Sequence, residues 1–223
     1  MPDRNTRIKI CCMASVAEAT LALAAGAAAL GFVMRMPSGP GPISETLARD
    51  IIATVPRGTP TFMLTSEIDA DAIVAQLELT GANHVQIVDY VTPGTRRRIR
   101  AARPAIRIVQ VVHVTGPESV DEAKLAAETS DAILLDSGNP AAKIKELGGT
   151  GRVHDWSVSR AIRDAIDVPL WLAGGLRAAN VNDAIDAVQP YGVDVCSGVR
   201  TNGALDGAKL RAFVGAVRRR RAA

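Results

Sequence analysis

Residues 168–200 read VPLWLAGGLRAANVNDAIDAVQPYGVDVCSGVR. Two short apolar runs, 168–173 and 193–195, have the length and bulk of buried strands. Each breaks into glycine, at Gly174-Gly175 and at Ser197-Gly198. Between them Val181, Ala184, Ile185 and Val188 fall at helical spacing, and Asn180 stands where an N-cap is expected. The unit is strand, glycine loop, helix, strand, glycine loop. Glycines just past strand ends let backbone N–H groups approach an anion closely, and a helix N-terminus adds positive potential. In an eight-fold β/α barrel, the loops after the seventh and eighth strands commonly hold phosphate. One Gly-Gly pair would be read as a strand cap; two such loops one helix apart point to a phosphate cradle.

Outward from this unit, strand and helix alternate along the 223 residues. Apolar runs at 8–11, 29–33, 61–64, 84–88, 106–114 and 132–136 are predicted strands. Helices are expected at 15–25, 44–53, 70–80, 95–102, 120–129, 158–166 and 205–217, with Gly26 and Gly81 as stops for the first and third. Residues 34–44 are rich in Pro and Gly and read as a loop. About eight repeats and no Gly-x-Gly-x-x-Gly after the first strand indicate a closed parallel barrel rather than a doubly wound sheet. No linker or composition shift divides the chain, so residues 1–223 are read as one domain. Apolar residues make up 48% but aromatics only 3%, so Val, Ile, Leu and Ala must build the core, as parallel strands buried on both faces require.

The net charge of +3 owes much to the run 218–221. Without interleaved aromatics this tail reads as a solvated helix end, and no nucleic-acid partner is expected. The apolar stretch 14–34 is broken by Glu18, Thr20 and glycines, so no membrane association is expected. No secretory leader is recognised, and Cys11, Cys12 and Cys196 have neither zinc-site nor disulfide-framework spacing. A reducing cytoplasm is the expected location.

Catalytic groups in barrels sit at the C-terminal ends of strands. Cys11 ends the first predicted strand, Gln86 lies in the fourth, His113 near the end of the fifth, and Asp136 ends the sixth. Singly, Cys11 reads as a buried small hydrophobe and Asp136 as a turn residue or cap. Together at one barrel mouth beside a phosphate cradle they form an acid–base pair. The run Gly148-Gly149-Thr150-Gly151 adds a glycine-rich turn near the same phosphate; His154 beyond it reads as structural.

The order KIC, LLD, GGTG, DW, LAGGL, YGVDV-SGV and NG resembles phosphoribosylanthranilate isomerase, a tryptophan-biosynthesis family, over nearly the whole chain and most tightly over 134–213. The resemblance implies a single (β/α)8 barrel, a monomer or homodimer, that acts on a phosphorylated aminosugar by an Amadori rearrangement. It makes Cys11 the general base and Asp136 the general acid. It also implies phosphate binding by Gly149, Gly151, Gly174, Gly175, Ser197 and Gly198, and no metal or organic cofactor.

The chain departs from the family pattern mainly in its N-terminal half. Cys12 stands where glycine is usual, and Cys196 where serine is usual. The family's Ser-Pro-Arg segment is replaced by Ser38-Gly39-Pro40-Gly41-Pro42, which leaves Arg35 as the substitute for the arginine that meets the anthranilate carboxylate. Gln86 is kept for substrate binding, but the histidine two residues later is Val88, with Asp89 following, and Gln110 replaces a lysine. The sequence therefore admits three readings: the isomerase itself with a divergent anthranilate pocket, a related isomerase for another phosphorylated aminosugar, or a non-catalytic barrel that binds a phosphometabolite.

Overall fold

In the computed structural model, which describes residues 6–139, 142, 145–147 and 151–219, eight parallel strands close on themselves. They are β1 Arg7–Ile10, β2 Ala29–Val33, β3 Thr61–Thr65, β4 His84–Ile87, β5 Arg107–His113, β6 Ala132–Asp136, β7 Leu170–Leu172 and β8 Gly192–Val195. Eight helices alternate with them: α1 Val16–Ala25, α2 Glu45–Ile52, α3 Ala70–Thr80, α4 Pro93–Ala102, α5 Ser119–Ala127, α6 Trp156–Ala165, α7 Val181–Val188 and α8 Gly207–Arg219. The ring closes where Ile8 pairs with Val193 and Ile10 with Val195. The expected (β/α)8 barrel is thus the observed one. None of the described helices is long and apolar enough to cross a membrane.

The capping chemistry explains most helix boundaries. Ser15, Ser44, Asp69, Thr92 and Asp155 each accept a backbone N–H of the first turn of α1, α2, α3, α4 and α6. Gly26 ends α1 at φ 102°, a left-handed conformation open to glycine at little cost. Asn180 corrects the expectation: its side chain makes no cap bond to α7. It turns back, accepting the Arg177 N–H at 2.8 Å and donating to the Gly175 carbonyl at 3.1 Å, and so braces the glycine loop after β7. A small hairpin was not foreseen: β9 Arg200–Thr201 pairs with β10 Ala204–Leu205 across Asn202 and Gly203, both at positive φ.

Strand side chains alternate between two cores. Ile8, Ile10, Phe32, Ile87, Ile133, Leu172 and Val193 face outward and pack against the helices. Val33, Leu64, Val88, Val111, Leu134, Trp171 and Ala173 belong to a separate inner cluster that also contains Cys11 and Cys12.

Candidate active site

The same alternation that sends Ile8 and Ile10 outward turns Lys9 and Cys11 inward. Lys9 is fully buried, its ammonium 2.7 Å from Asp194 Oδ2 and 5.1 Å from the centre of the Phe62 ring. Burial alone would drive it toward the neutral form, but Asp194 and the nearby thiols outweigh that and raise its pKa. Asp194 Oδ1 is buried without a partner.

Asp136 ends β6 on the inward side, and its Oδ1 accepts the Ser137 N–H at 2.7 Å. Burial pushes its carboxyl above the ordinary aspartate value. The Ser137 N–H and His113 act against the shift, and Asp194 adds to it. His113 is itself buried, its Nε2 2.9 Å from the Val88 carbonyl oxygen. A carboxyl that holds its proton more tightly than an ordinary aspartate is suited to general acid work.

One cleft at the C-terminal mouth collects Cys11, Asp136, Gln86, Gly151, Gly174, Gly175 and Ser197 from the residues expected in the site. Asp194, Cys12, Cys196, Met36 and Ser38 line it too. Gly174 and Gly175 have φ 84° and 61°, and their amides have no hydrogen-bond partner among the described residues. The loops there touch: a Cβ on Gly175 would lie 2.8 Å from the Arg152 carbonyl oxygen, and one on Gly198 would collide with that of Leu176. Gly198 therefore sits behind the cleft, where it lets the loops after β7 and β8 meet. His154 lies beneath Gly174, its Nε2 2.8 Å from Ser159 Oγ, and burial lowers its pKa to about 4. Gly149 lies outside the described residues.

The aglycone side differs from the phosphate side. Gln86 is buried with Oε1 unpartnered. Arg35 is exposed and does not line the cleft, and no other described lysine or arginine does. Gln110 points outward, where its Oε1 accepts from Arg96 Nη1 at 2.9 Å. Asp89 is paired to Lys145 at 2.6 Å.

Sequence reading missed two supports of Cys11. The first is the Lys9–Asp194 pair, whose signal was the inward parity Lys9 shares with Cys11. The second is Arg200, which donates to the carbonyls of Cys11 and Cys12 and is held by Glu18 at 2.9 Å. Burial works against the charge of Glu18, but Arg200 and the N–H groups of Leu205 and Ala14 lower its pKa overall.

A closed barrel with a thiol, a protonatable carboxyl and paired glycine loops at its C-terminal mouth defines a (β/α)8 enzyme for a phosphorylated small molecule. The model of the N-(5'-phosphoribosyl)anthranilate (PRA) isomerase family matches residues 8–216, and the chain belongs to that family. It is 38% identical to the N-(5'-phosphoribosyl)anthranilate isomerase of Methanothrix thermoacetophila, with 96% of this chain and 98% of the relative covered. The enzyme of the same name from Halobacterium salinarum is 35% identical, covering 94% of each. Among solved structures, phosphoribosyl anthranilate isomerase from Thermotoga maritima superposes with a TM-score of 0.81 at 30% identity, over 96% of this chain and 98% of that one. A complex of phosphoribosyl anthranilate isomerase with reduced 1-(o-carboxyphenylamino)-1-deoxyribulose 5-phosphate gives 0.79 at 27%, with 96% and 98% covered. The family reaction is the isomerisation step of tryptophan biosynthesis.

Proposed function

We propose that this chain carries out the family reaction on N-(5'-phosphoribosyl)anthranilate with Cys11 as general base and Asp136 as general acid. Asp136 protonates the ribose ring oxygen, and the ring opens to an iminium. The Cys11 thiolate then removes the C2 proton, and the resulting enolamine tautomerises to the 1-amino-1-deoxyketose. The observation that carries this reading is that Cys11, just past β1, and Asp136, at the end of β6, line one cleft with Gly151, Gly174, Gly175 and Ser197. The amides of Gly174 and Gly175, unpartnered among the described residues, are offered to the substrate phosphate beside Gly151 and Ser197, and Gly198 lets the two loops meet behind them. Phosphate binding supplies energy remote from the bond changes and so helps position C2.

Gln86 is the polar group offered to the aglycone, and its amide can donate to the anthranilate carboxylate. Arg35 contributes only if the 34–42 loop rearranges. The chain acts as a single barrel domain, as a monomer or homodimer, and its three free cysteines suit a reducing cytoplasm.

The test is turnover of N-(5'-phosphoribosyl)anthranilate generated in situ, followed by loss of its fluorescence. Wild type should turn over, and Cys11→Ser and Asp136→Asn should each lose about 10²-fold or more, the range for removing a general acid or base. Folded wild type that binds ribose phosphate without turnover would refute this reading and favour another phosphorylated aminosugar.

A further inference from the structure

The barrel has a second opening, away from the catalytic cleft. At the N-terminal ends of the strands lies a cavity of ≈ 260 Å³, larger than the ≈ 80 Å³ of the cleft, and the two share no described lining residue. In (β/α)8 barrels the reaction sits at the C-terminal mouth and layers of side chains fill the interior, so space of this size at the base is not explained by the reaction. Small residues leave it open: Ala28, just ahead of β2, and Ala132, the first residue of β6, both line it. Gly192, the first residue of β8, makes room for the wall, because a Cβ there would lie 2.4 Å from Trp171 Cζ3 and displace that ring.

The walls are aromatic and the rim is cationic. The chain has only three Phe, two Trp and two Tyr, yet one of each lines this cavity together with His84. The rings form a connected arc. His84 stacks on Phe62 with centres 4.5 Å apart, Phe62 meets the edge of Trp171 at 5.8 Å, and Trp171 meets that of Tyr191 at 5.4 Å. Arg7 places its guanidinium carbon 5.0 Å from the centre of the Tyr191 ring, and its side chain has neither an ion pair nor a hydrogen bond among the described residues. Asp131, the one carboxylate of the lining, is already engaged: its Oδ2 accepts from Arg100 and the Ile108 N–H, and its Oδ1 from Arg107. Arg7 is thus an uncompensated cation at the rim, with a planar fork of N–H donors of the kind that matches a carboxylate.

We propose that this cavity is a binding site for a small planar aromatic carboxylate, with its ring against Trp171 and Tyr191 and its carboxylate on Arg7. The size suits one substituted ring, since an apolar cavity of about 150 Å³ admits benzene. Aromatic walls favour a flat ring, through stacked and edge contacts, over an aliphatic one of similar volume. The Arg7 fork sets the charge of the ligand: an uncharged aromatic would leave it unpaired, and a cation would meet Arg7 and Arg107 and find no free carboxylate in the lining. The site stands apart from the reaction proposed above, and no bond is made or broken in it.

The test is to titrate benzoate into the folded chain and follow tryptophan fluorescence, which Trp171 reports at the base and Trp156 in α6. Wild type should give a saturable change that Trp171→Phe loses. Benzyl alcohol, which lacks the charge, should bind about tenfold or more weaker than benzoate, the value of a charge-assisted hydrogen bond. Cyclohexanecarboxylate, which lacks the flat ring, should bind several-fold weaker. Arg7→Gln should weaken benzoate by about tenfold or more with melting close to wild type, and Ala28→Leu, which narrows the cavity, should weaken it too. Gln86→Leu, in the catalytic cleft, should leave the response to benzoate unchanged. The proposal is overturned if wild type shows no saturable change, if Gln86→Leu rather than Arg7→Gln abolishes it, or if cyclohexanecarboxylate binds as well as benzoate. It is also overturned if sedimentation shows a dimer that Arg7→Gln or Ala28→Leu separates, which would assign the cavity to a second copy of the chain.

Discussion

The two ends of the barrel differ in how far their polar side chains are satisfied. At the N-terminal end, Asp131 uses both oxygens: Oδ2 accepts from Arg100 and from the Ile108 N–H at 2.7 Å, and Oδ1 from Arg107 at 3.2 Å. Beside it Phe62 stacks on His84 with ring centres 4.5 Å apart and meets the edge of Trp171 at 5.8 Å. At the C-terminal end, Asp194 Oδ1 and Gln86 Oε1 are buried with no partner, and Asp136 has a pKa raised by burial. An unsatisfied buried acceptor costs about 1–3 kcal/mol. Such groups gather at the mouth, whereas beside Asp131 at the base Ser130 Oγ is the one buried without a partner among the described residues. The mouth is built to meet the reacting ligand, and Asp131 with its partners is built to hold the barrel shut.

This contrast can be broken at several points. Asp136→Asn should have the largest effect, abolishing turnover without lowering thermal stability at neutral pH. Because the folded carboxyl has a raised pKa, its stabilising contribution is complete only below the unfolded value and is lost as pH rises through the folded one. The asparagine variant is free of that loss, so melting curves should favour it near neutrality and converge with wild type in acid. A variant less stable than wild type at pH 7 would contradict this reading of the mouth.

Asp131→Ala at the other end should do the reverse. It strips partners from Arg100, Arg107 and the Ile108 N–H at a partly exposed site. Denaturant unfolding should report a loss of about 2–3 kcal/mol, while KM stays within twofold or so of wild type.

Gln86→Leu sharpens the comparison with a milder effect. It removes an unpartnered buried acceptor, so stability should hold or rise by about 1 kcal/mol, while KM for the anthranilate substrate rises. Arg35→Ala should leave KM nearly unchanged, and a larger KM rise from Arg35→Ala than from Gln86→Leu would reverse the assignment of the aglycone pocket.

The smallest effect is a pH dependence common to both ends. Burial lowers the pKa of both His84 and His154 to about 4. Each contributes stability that is present above the unfolded value of 6.5 and lost as pH falls from there toward 4. Unfolding followed over that window should show a decline that His84→Asn lessens.

Much of this was legible in the chain because local rules agreed with the fold. The expected strands 29–33 and 132–136 and the helix 70–80 have the observed limits, since capping residues, glycine stops and apolar runs all point the same way. The positions of Cys11 and Asp136 at strand ends followed from the barrel alone. The Lys9–Asp194 pair did not, because its members are 185 residues apart and meet only through the register of β1 on β8. Asn180 misled because its side chain could serve the helix or the loop before it, and only the packed loop decides between them. The hairpin of β9 and β10 is two residues per strand, too short for periodicity, but Asn202-Gly203 was its signal.

The seam between β1 and β8 also orders events in time. Lys9, Cys11 and Glu18 are synthesised more than 180 residues before Asp194, Val195 and Arg200, which hold them. Contacts of such sequence separation form late, because loop closure must precede them. Through most of translation the first strand therefore has no neighbour on that side, and its lysine and thiol stay open to water and to other chains. A nascent chain stopped before β8 would carry a complete first strand and no site, which makes the arrival of β8 and Arg200 the step that commits the barrel to its native form.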